Sequence, residues 1–154
     1  MPKLSTAYFG ELDYPESSVF DFPAGLPGFE DERAFVFIRQ PHTEPLIFMQ
    51  SLANPALCFI MLPVLAALPG YDLRLEPEDL SELQLPAVCR PQIGKETLCG
   101  ALVCTSQDSE PTVNLLGPIV VNLQARIGRQ VIQSGRGYNH KHPLFARQEL
   151  APCS

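Results

Sequence analysis

His140 and His142 stand two residues apart in the segment Tyr138-Asn-His-Lys-His-Pro-Leu144. On an extended chain both imidazoles would leave the same face, where together with a carboxylate they could share a metal ion. Two ligands without a third fall short of the sets that hold zinc, and solvated or backbone-bonded histidines are the plainer reading. His42, in a proline-rich turn, reads as a surface residue. Of the five cysteines, Cys58, Cys99 and Cys104 lie in apolar, strand-like runs where a thiol packs as a small hydrophobe. No Cys-x-x-Cys pair is present, and the most reactive thiol expected is Cys153, in a polar tail.

The remaining chemistry-bearing patterns fail on inspection. Gly94-Lys95 resembles the end of a phosphate loop, but position 89 is Cys where the motif needs Gly and position 96 is Glu where it needs Ser or Thr. Ser134-Gly-Arg-Gly137 could touch an anion, yet its composition is that of a hairpin turn. A Gly-x-Ser-x-Gly nucleophile element is absent. The sequence therefore points to a protein without catalytic residues, cofactor site or metal site.

Charge narrows the partners. The chain carries 17 acids and 11 bases, a net charge of -6, which opposes attraction to a phosphate backbone. Residues 1–96 hold 14 acids against 6 bases, net -8, while residues 97–154 hold 3 against 5, net +2. A basic partner meeting the first two-thirds is the electrostatic expectation. Glu30-Asp31-Glu32 and the group Glu76, Glu78, Asp79, Glu82 are the densest acidic pieces. The first is either a docking patch or a solvated loop, and the second has an alternative role in helix capping.

The elements that would position these residues are mostly strands. Ser5–Leu12 and Ser17–Phe22 read as a hairpin joined across Asp13-Tyr14-Pro15-Glu16. Phe22-Pro-Ala-Gly-Leu-Pro-Gly-Phe29 follows as a loop shaped by prolines and glycines and pinned to the core by Phe22, Leu26 and Phe29. Ala34–Ile38, Leu46–Leu52 and Leu57–Leu62 are further strands, the first and third apolar enough to be covered on both faces. Tyr71–Glu76 alternates by type as a half-buried strand. One short helix is predicted near residues 77–84, with Pro77 in its first turn and acids at 78 and 79. Thr97–Thr105, Val113–Leu116, Ile119–Leu123 and Gln130–Ile132 complete the set.

Nine to eleven short strands with a single helix predict an all-β architecture, a small barrel or strongly folded sheet. Residues 1–145 are expected to form one domain and 146–154 a flexible tail. The first residues lack a basic region followed by an apolar core, and the longest apolar run, Pro55 to Pro69, is too short for a bilayer. A reduced, cytoplasmic setting is the expectation, with no membrane contact.

Four segments in register resemble the FliW family of flagellar assembly factors. They are Phe22-Pro-Ala-Gly-Leu-Pro-Gly-Phe29, Asn114-Leu-Leu-Gly-Pro-Ile-Val-Val-Asn122, Arg126-x-Gly-x-Gln130, and Tyr138-x-x-Lys-His-Pro-Leu144. The resemblance covers about residues 5–145 and implies a small, cytoplasmic, non-catalytic barrel-like protein, monomeric when free. It also implies binding to flagellin and to the RNA-binding translational repressor CsrA, which compete, so that flagellin level is coupled to translation of flagellin messenger RNA. The resemblance favours a separate, allosteric site on CsrA over RNA mimicry. A flagellin chaperone without a translational role, and a small metal-dependent enzyme using His140 and His142, are the alternatives.

Motif residues divide by role. Gly25, Pro27, Gly28, Gly117, Pro118 and Gly128 have backbone reasons for their identity, and Phe22, Phe29, Ile119 and Val121 are expected in the core. Partner contacts are expected at Asn114, Asn122, Arg126 and Tyr138 and at Glu30, Asp31 and Glu32. Leu123-Gln-Ala125 departs from the turn-like Pro-Glu-Asn usual in the family, and five cysteines exceed the family's habit.

Overall fold

The computed structural model describes residues 2–86, 93–106 and 109–144. Its strands are β1 (Lys3–Thr6), β2 (Gly10–Asp13), β3 (Val19–Asp21), β4 (Ala34–Ile38), β5 (Ile47–Ser51), β6 (Cys58–Pro63), β7 (Thr97–Ser106), β8 (Ser109–Val113), β9 (Ile119–Asn122), β10 (Ile127–Gln130) and β11 (His142–Pro143). Two short helices, α1 (Val64–Ala67) and α2 (Pro77–Glu82), lie between β6 and β7. Strands β3, β4, β5, β6, β7, β9 and β10 pair in that order and close on themselves. The closing pair is parallel, Ile127 against Asp21, and the other pairs of the ring are antiparallel. Closure removes the free edges that an open sheet would expose.

Strand alternation divides the apolar residues between two cores. Phe20, Phe35, Phe37, Ile47, Met49, Met61, Ile119 and Val121 fill the barrel, together with Phe22 and Leu26 from the loop after β3. The opposite face of β6, β7 and β9 presents Leu62, Cys99, Ala101 and Val120 outward. That face is covered by the segment from Val64 to Leu83 and by Leu115 and Val131. The wall is thus buried on both sides, as the continuous apolarity of Leu57–Leu62 requires.

The β7 edge explains the Asn114 motif. Its first half pairs with β9, Thr97 to Gly100 against Asn122 to Ile119, and its second half pairs with β8. Residues 114–118 are therefore a short excursion in what would otherwise be one long partner strand. Strand β11 then pairs with β8 outside the barrel, and β1 with β2 forms a separate hairpin.

Several expectations are corrected. The opening turn falls at residues 7–9 inside the predicted strand Ser5–Leu12, and β3 pairs with β4 and β10 instead of with that strand. Pro63 ends β6 and caps α1, so the described residues hold a second α-helix besides the single one predicted near 77–84. Val113–Leu116 is displaced towards β8, and Gln130–Ile132 towards β10, because the backbone of residues 115–117 bends away. Tyr71–Glu76 has the predicted alternation, with Tyr71 and Leu73 buried, but joins no ladder. Phe29 is 40% exposed, Cys104 is exposed and Cys58 is half-buried, against the expectation of core positions. The helix at 77–84 stands as α2. Cys89, Cys153 and the tail 146–154 lie outside the described residues.

Candidate partner-binding surface

The loop between β3 and β4 carries one part-exposed aromatic ring, Phe29, followed by the acids Glu30, Asp31 and Glu32. Leu26-Pro27-Gly28-Phe29 is a reverse turn closed by Phe29 N–H donating to the Leu26 carbonyl at 2.7 Å, with Pro27 and positive-φ Gly28 at its centre. Gly25 is also at positive φ, and a Cβ there would lie 2.6 Å from the Glu30 backbone. These close approaches fix the backbone that leads into Glu30, Asp31 and Glu32.

Each acid is positioned differently. The Glu30 carboxylate accepts from Gly28 N–H at 3.0 Å, and that backbone bond lowers its pKa. Glu32 accepts from the Ser51 hydroxyl at 2.7 Å, which braces the loop against the end of β5. Asp31 is exposed. Phe29 meets Phe59 edge-on with ring centroids 5.2 Å apart and leaves much of its own ring in solvent. A part-exposed ring followed directly in the chain by three acids suits a partner that supplies an apolar side chain and a cation.

The other predicted contact residues sit in separate internal networks. Asn114 accepts with its side-chain oxygen from Leu116 N–H at 3.1 Å and Gly117 N–H at 2.9 Å, folding the excursion. Gln130 Nε2 donates to the Gly117 carbonyl at 2.8 Å, and a Cβ on Gly117 would meet that same nitrogen at 2.9 Å. Asn122 is only 6% exposed, which corrects its expected place among surface residues. Its oxygen accepts from Gln124 and Ala125 N–H groups, and its nitrogen donates to the Leu83 carbonyl at the end of α2.

Tyr138 stacks on Tyr71 with ring centroids 4.2 Å apart. Its hydroxyl accepts from Asp72 N–H at 2.8 Å. Tyr71 in turn donates to the Leu115 carbonyl at 2.6 Å, and burial pushes its phenol pKa up. Arg126 is the exception in this group, since it stays exposed. Its φ is +57, and its guanidinium donates to the Glu16 carbonyl at 2.6 Å. It edges a cleft with Tyr14, Glu16 and Asp21.

Gly128 marks a different constraint: a Cβ there would lie 2.7 Å from the Phe22 ring. Pro118 accepts from Val131 N–H at 2.9 Å. His142 is in β11, His140 is exposed, and among the described residues no three His, Cys, Asp or Glu converge as a metal site. No helix there is long and apolar enough to cross a membrane. Sequence reasoning missed Gln133, which bonds Arg74 twice, because a lone glutamine carries no pattern.

The four motif segments thus belong to one barrel and the strands and loops packed on its outside, and the comparisons with known proteins agree. The FliW protein family model matches residues 3–144. This chain belongs to the FliW family. Flagellar assembly factor FliW of Syntrophomonas wolfei is 32% identical over 144 residues, covering 93% of this chain and 88% of that protein. The same-named protein of Desulfitobacterium hafniense is 36% identical over 149 residues, with 97% and 95% covered. A crystal structure of the flagellar assembly factor FliW superposes with a TM-score of 0.80 at 31% identity, over 96% of this chain and 99% of that one. The FliW barrel therefore accounts for nearly every described element.

Proposed function

We propose that this protein acts in the cytoplasm as a non-catalytic flagellar assembly factor, monomeric when free, that binds flagellin and antagonises CsrA. Membership of the FliW family over residues 3–144 carries the reading. The acid excess of residues 1–96 supports a basic partner such as an RNA-binding repressor and disfavours direct RNA binding. Glu30, Asp31 and Glu32, directly after Phe29, supply the steering charge, with Arg126 as a second exposed contact. Asn114, Asn122 and Tyr138 instead hold other parts of the backbone through their own hydrogen bonds, to Gly117, Leu83 and Asp72 respectively.

In this scheme free protein occupies CsrA and releases flagellin messenger RNA. Accumulating flagellin captures the protein and restores repression. The test is a competition titration with both purified partners. Flagellin should displace CsrA from this protein in proportion to its concentration. Binding of flagellin alone would reduce the function to a chaperone's, and binding of neither would overturn the reading.

A further inference from the structure

Ser51 closes β5 with a hydroxyl whose whole bonding capacity is in use. A serine hydroxyl has one proton to donate and two lone pairs to accept with. The lone pairs of Ser51 take the Ala53 N–H at 3.2 Å and the Asn54 N–H at 3.0 Å, which folds the turn after the strand. The proton goes to Glu32 Oε2 at 2.7 Å. Ser51 is fully buried. Its N–H donates to the Leu57 carbonyl at 3.0 Å, and its own carbonyl accepts from the Gln50 amide at 3.1 Å. With backbone and lone pairs both committed, the hydroxyl has no second orientation in which to release Glu32.

Glu32 differs in this from the acids before it. Glu30 and Asp31 are exposed, whereas Glu32 is half-buried. Among the described residues no Lys, Arg or His pairs with its carboxylate. Arg33, next in the chain, turns its guanidinium to the Glu30 carbonyl instead. The second carboxylate oxygen, Oε1, keeps access to solvent. A neutral donor thus holds the charge in place and leaves it uncompensated on its outer side.

We infer that Glu32 is the fixed anchor of the acidic loop, the carboxylate that takes a Lys or Arg side chain of the protein partner, and that Ser51 is its positioning residue. The inference rests on the proposed function and divides the charges of that surface by task. Exposed Glu30 and Asp31 act at a distance and set the association rate, whereas a half-buried charge in contact with the partner's cation sets the dissociation rate. Holding Glu32 before the partner arrives spares the immobilisation of a rotamer-rich side chain, which is worth roughly three- to tenfold in affinity. Serine suits the task. A Lys or Arg in its place would neutralise the carboxylate, and an apolar residue would leave it loose and the Ala53 and Asn54 N–H groups unpaired.

The test follows association with and dissociation from CsrA by stopped flow, using the full chain with Glu32→Gln, Ser51→Ala and both together. Glu32→Gln keeps an oxygen for the Ser51 proton and removes the charge, so the loop stays braced. It should raise the dissociation rate about tenfold and change the association rate by less than about twofold, even at salt that erases the effect of Glu30 and Asp31. Ser51→Ala should raise the dissociation rate about three- to tenfold alone and leave it unchanged in the Glu32→Gln background. An effect of Glu32→Gln confined to the association rate, or no effect, would overturn the anchor while leaving the proposed function. An equal effect of Ser51→Ala in both backgrounds would overturn the positioning, because Ser51 would then act through its turn alone. Side-chain carbon relaxation measured by NMR reads the positioning without any partner: Glu32 should be rigid in the natural chain and mobile in Ser51→Ala, and equal motion in the two would overturn it. Binding of neither CsrA nor flagellin by the natural chain would overturn the proposed function and the anchor with it.

Discussion

Gln133 grips the backbone of Arg74 with both halves of its amide. Its Nε2 donates to the Arg74 carbonyl at 2.6 Å and its Oε1 accepts from the Arg74 N–H at 2.9 Å. A side chain thereby supplies the pair of bonds that a neighbouring strand would have provided. Gln133 is 2% exposed, so the arrangement is shielded from water. It holds the Tyr71–Glu76 segment, with its buried Tyr71 and Leu73, over the outer face of the barrel.

Replacing Gln133 with Leu keeps similar bulk but strands both Arg74 groups. A loss of about 1–3 kcal/mol is expected. Urea unfolding checks the magnitude, and faster hydrogen exchange at the Arg74 amide checks the cause. Unchanged exchange would mean that the bonds are not limiting there.

Gly128→Ala should destabilise by about 1–3 kcal/mol, because the new Cβ would lie 2.7 Å from the buried Phe22 ring. Phe22→Leu should relieve part of that cost when combined with it. A double-mutant cycle measures the coupling, and simple additivity would argue against the clash.

Asn122→Asp retains the oxygen that accepts from Gln124 and Ala125 but sets a carboxylate oxygen against the Leu83 carbonyl, 2.8 Å from the present nitrogen. Stability at neutral pH should fall by about 2 kcal/mol, with partial recovery when the carboxyl is protonated in mild acid. Thermal melts at the two pH values decide it.

Alkaline pH should loosen the outer core through Cys99. Burial raises its pKa from 9.0 to about 12, so the unfolded chain loses this proton first. The contribution is complete below pH 9 and is lost as pH rises towards 12. Between pH 9 and 10 the cost is about 1 kcal/mol. The urea midpoint should drop over that interval; Cys58, raised from 9.0 to about 11, contributes a similar amount, so Cys99→Ala should remove about half of the cysteine-linked drop and the double variant with Cys58→Ala most of it.

Glu30→Lys with Asp31→Lys should slow association with CsrA about tenfold at low salt, with added salt erasing much of the difference. Glu32 is left intact because its bond to Ser51 braces the loop. Stopped-flow rates across a salt series provide the check. An association rate unchanged at low salt would remove this loop from the encounter surface.

Much of the barrel was legible in strings of residue type. Phe35, Val36 and Phe37 in unbroken succession specified a strand buried on both faces, and β4 occupies the predicted Ala34–Ile38. Pro77 with its following acids specified α2, whose capping box joins Glu76 and Asp79. The candidate surface was legible only as charge. Glu30, Asp31 and Glu32 stood out in the sequence, whereas the exposure of Phe29 did not, since an aromatic beside glycines and prolines packs inward or outward according to what closes behind it.

Residue chemistry and periodicity by themselves determined the all-β architecture, the family motifs, the acidic first two-thirds and the lack of a familiar catalytic pattern. They did so because backbone propensity, turn chemistry and net charge are local or additive properties. Tertiary structure alone decided that Asn114, Asn122 and Tyr138 each hydrogen-bond distant or neighbouring backbone, that Gln133 stands in for a strand, and that Phe9 meets Phe48. Those outcomes depend on which distant backbone group or ring arrives opposite a side chain. Barrel closure sets that pairing, through registers that join residues far apart in sequence.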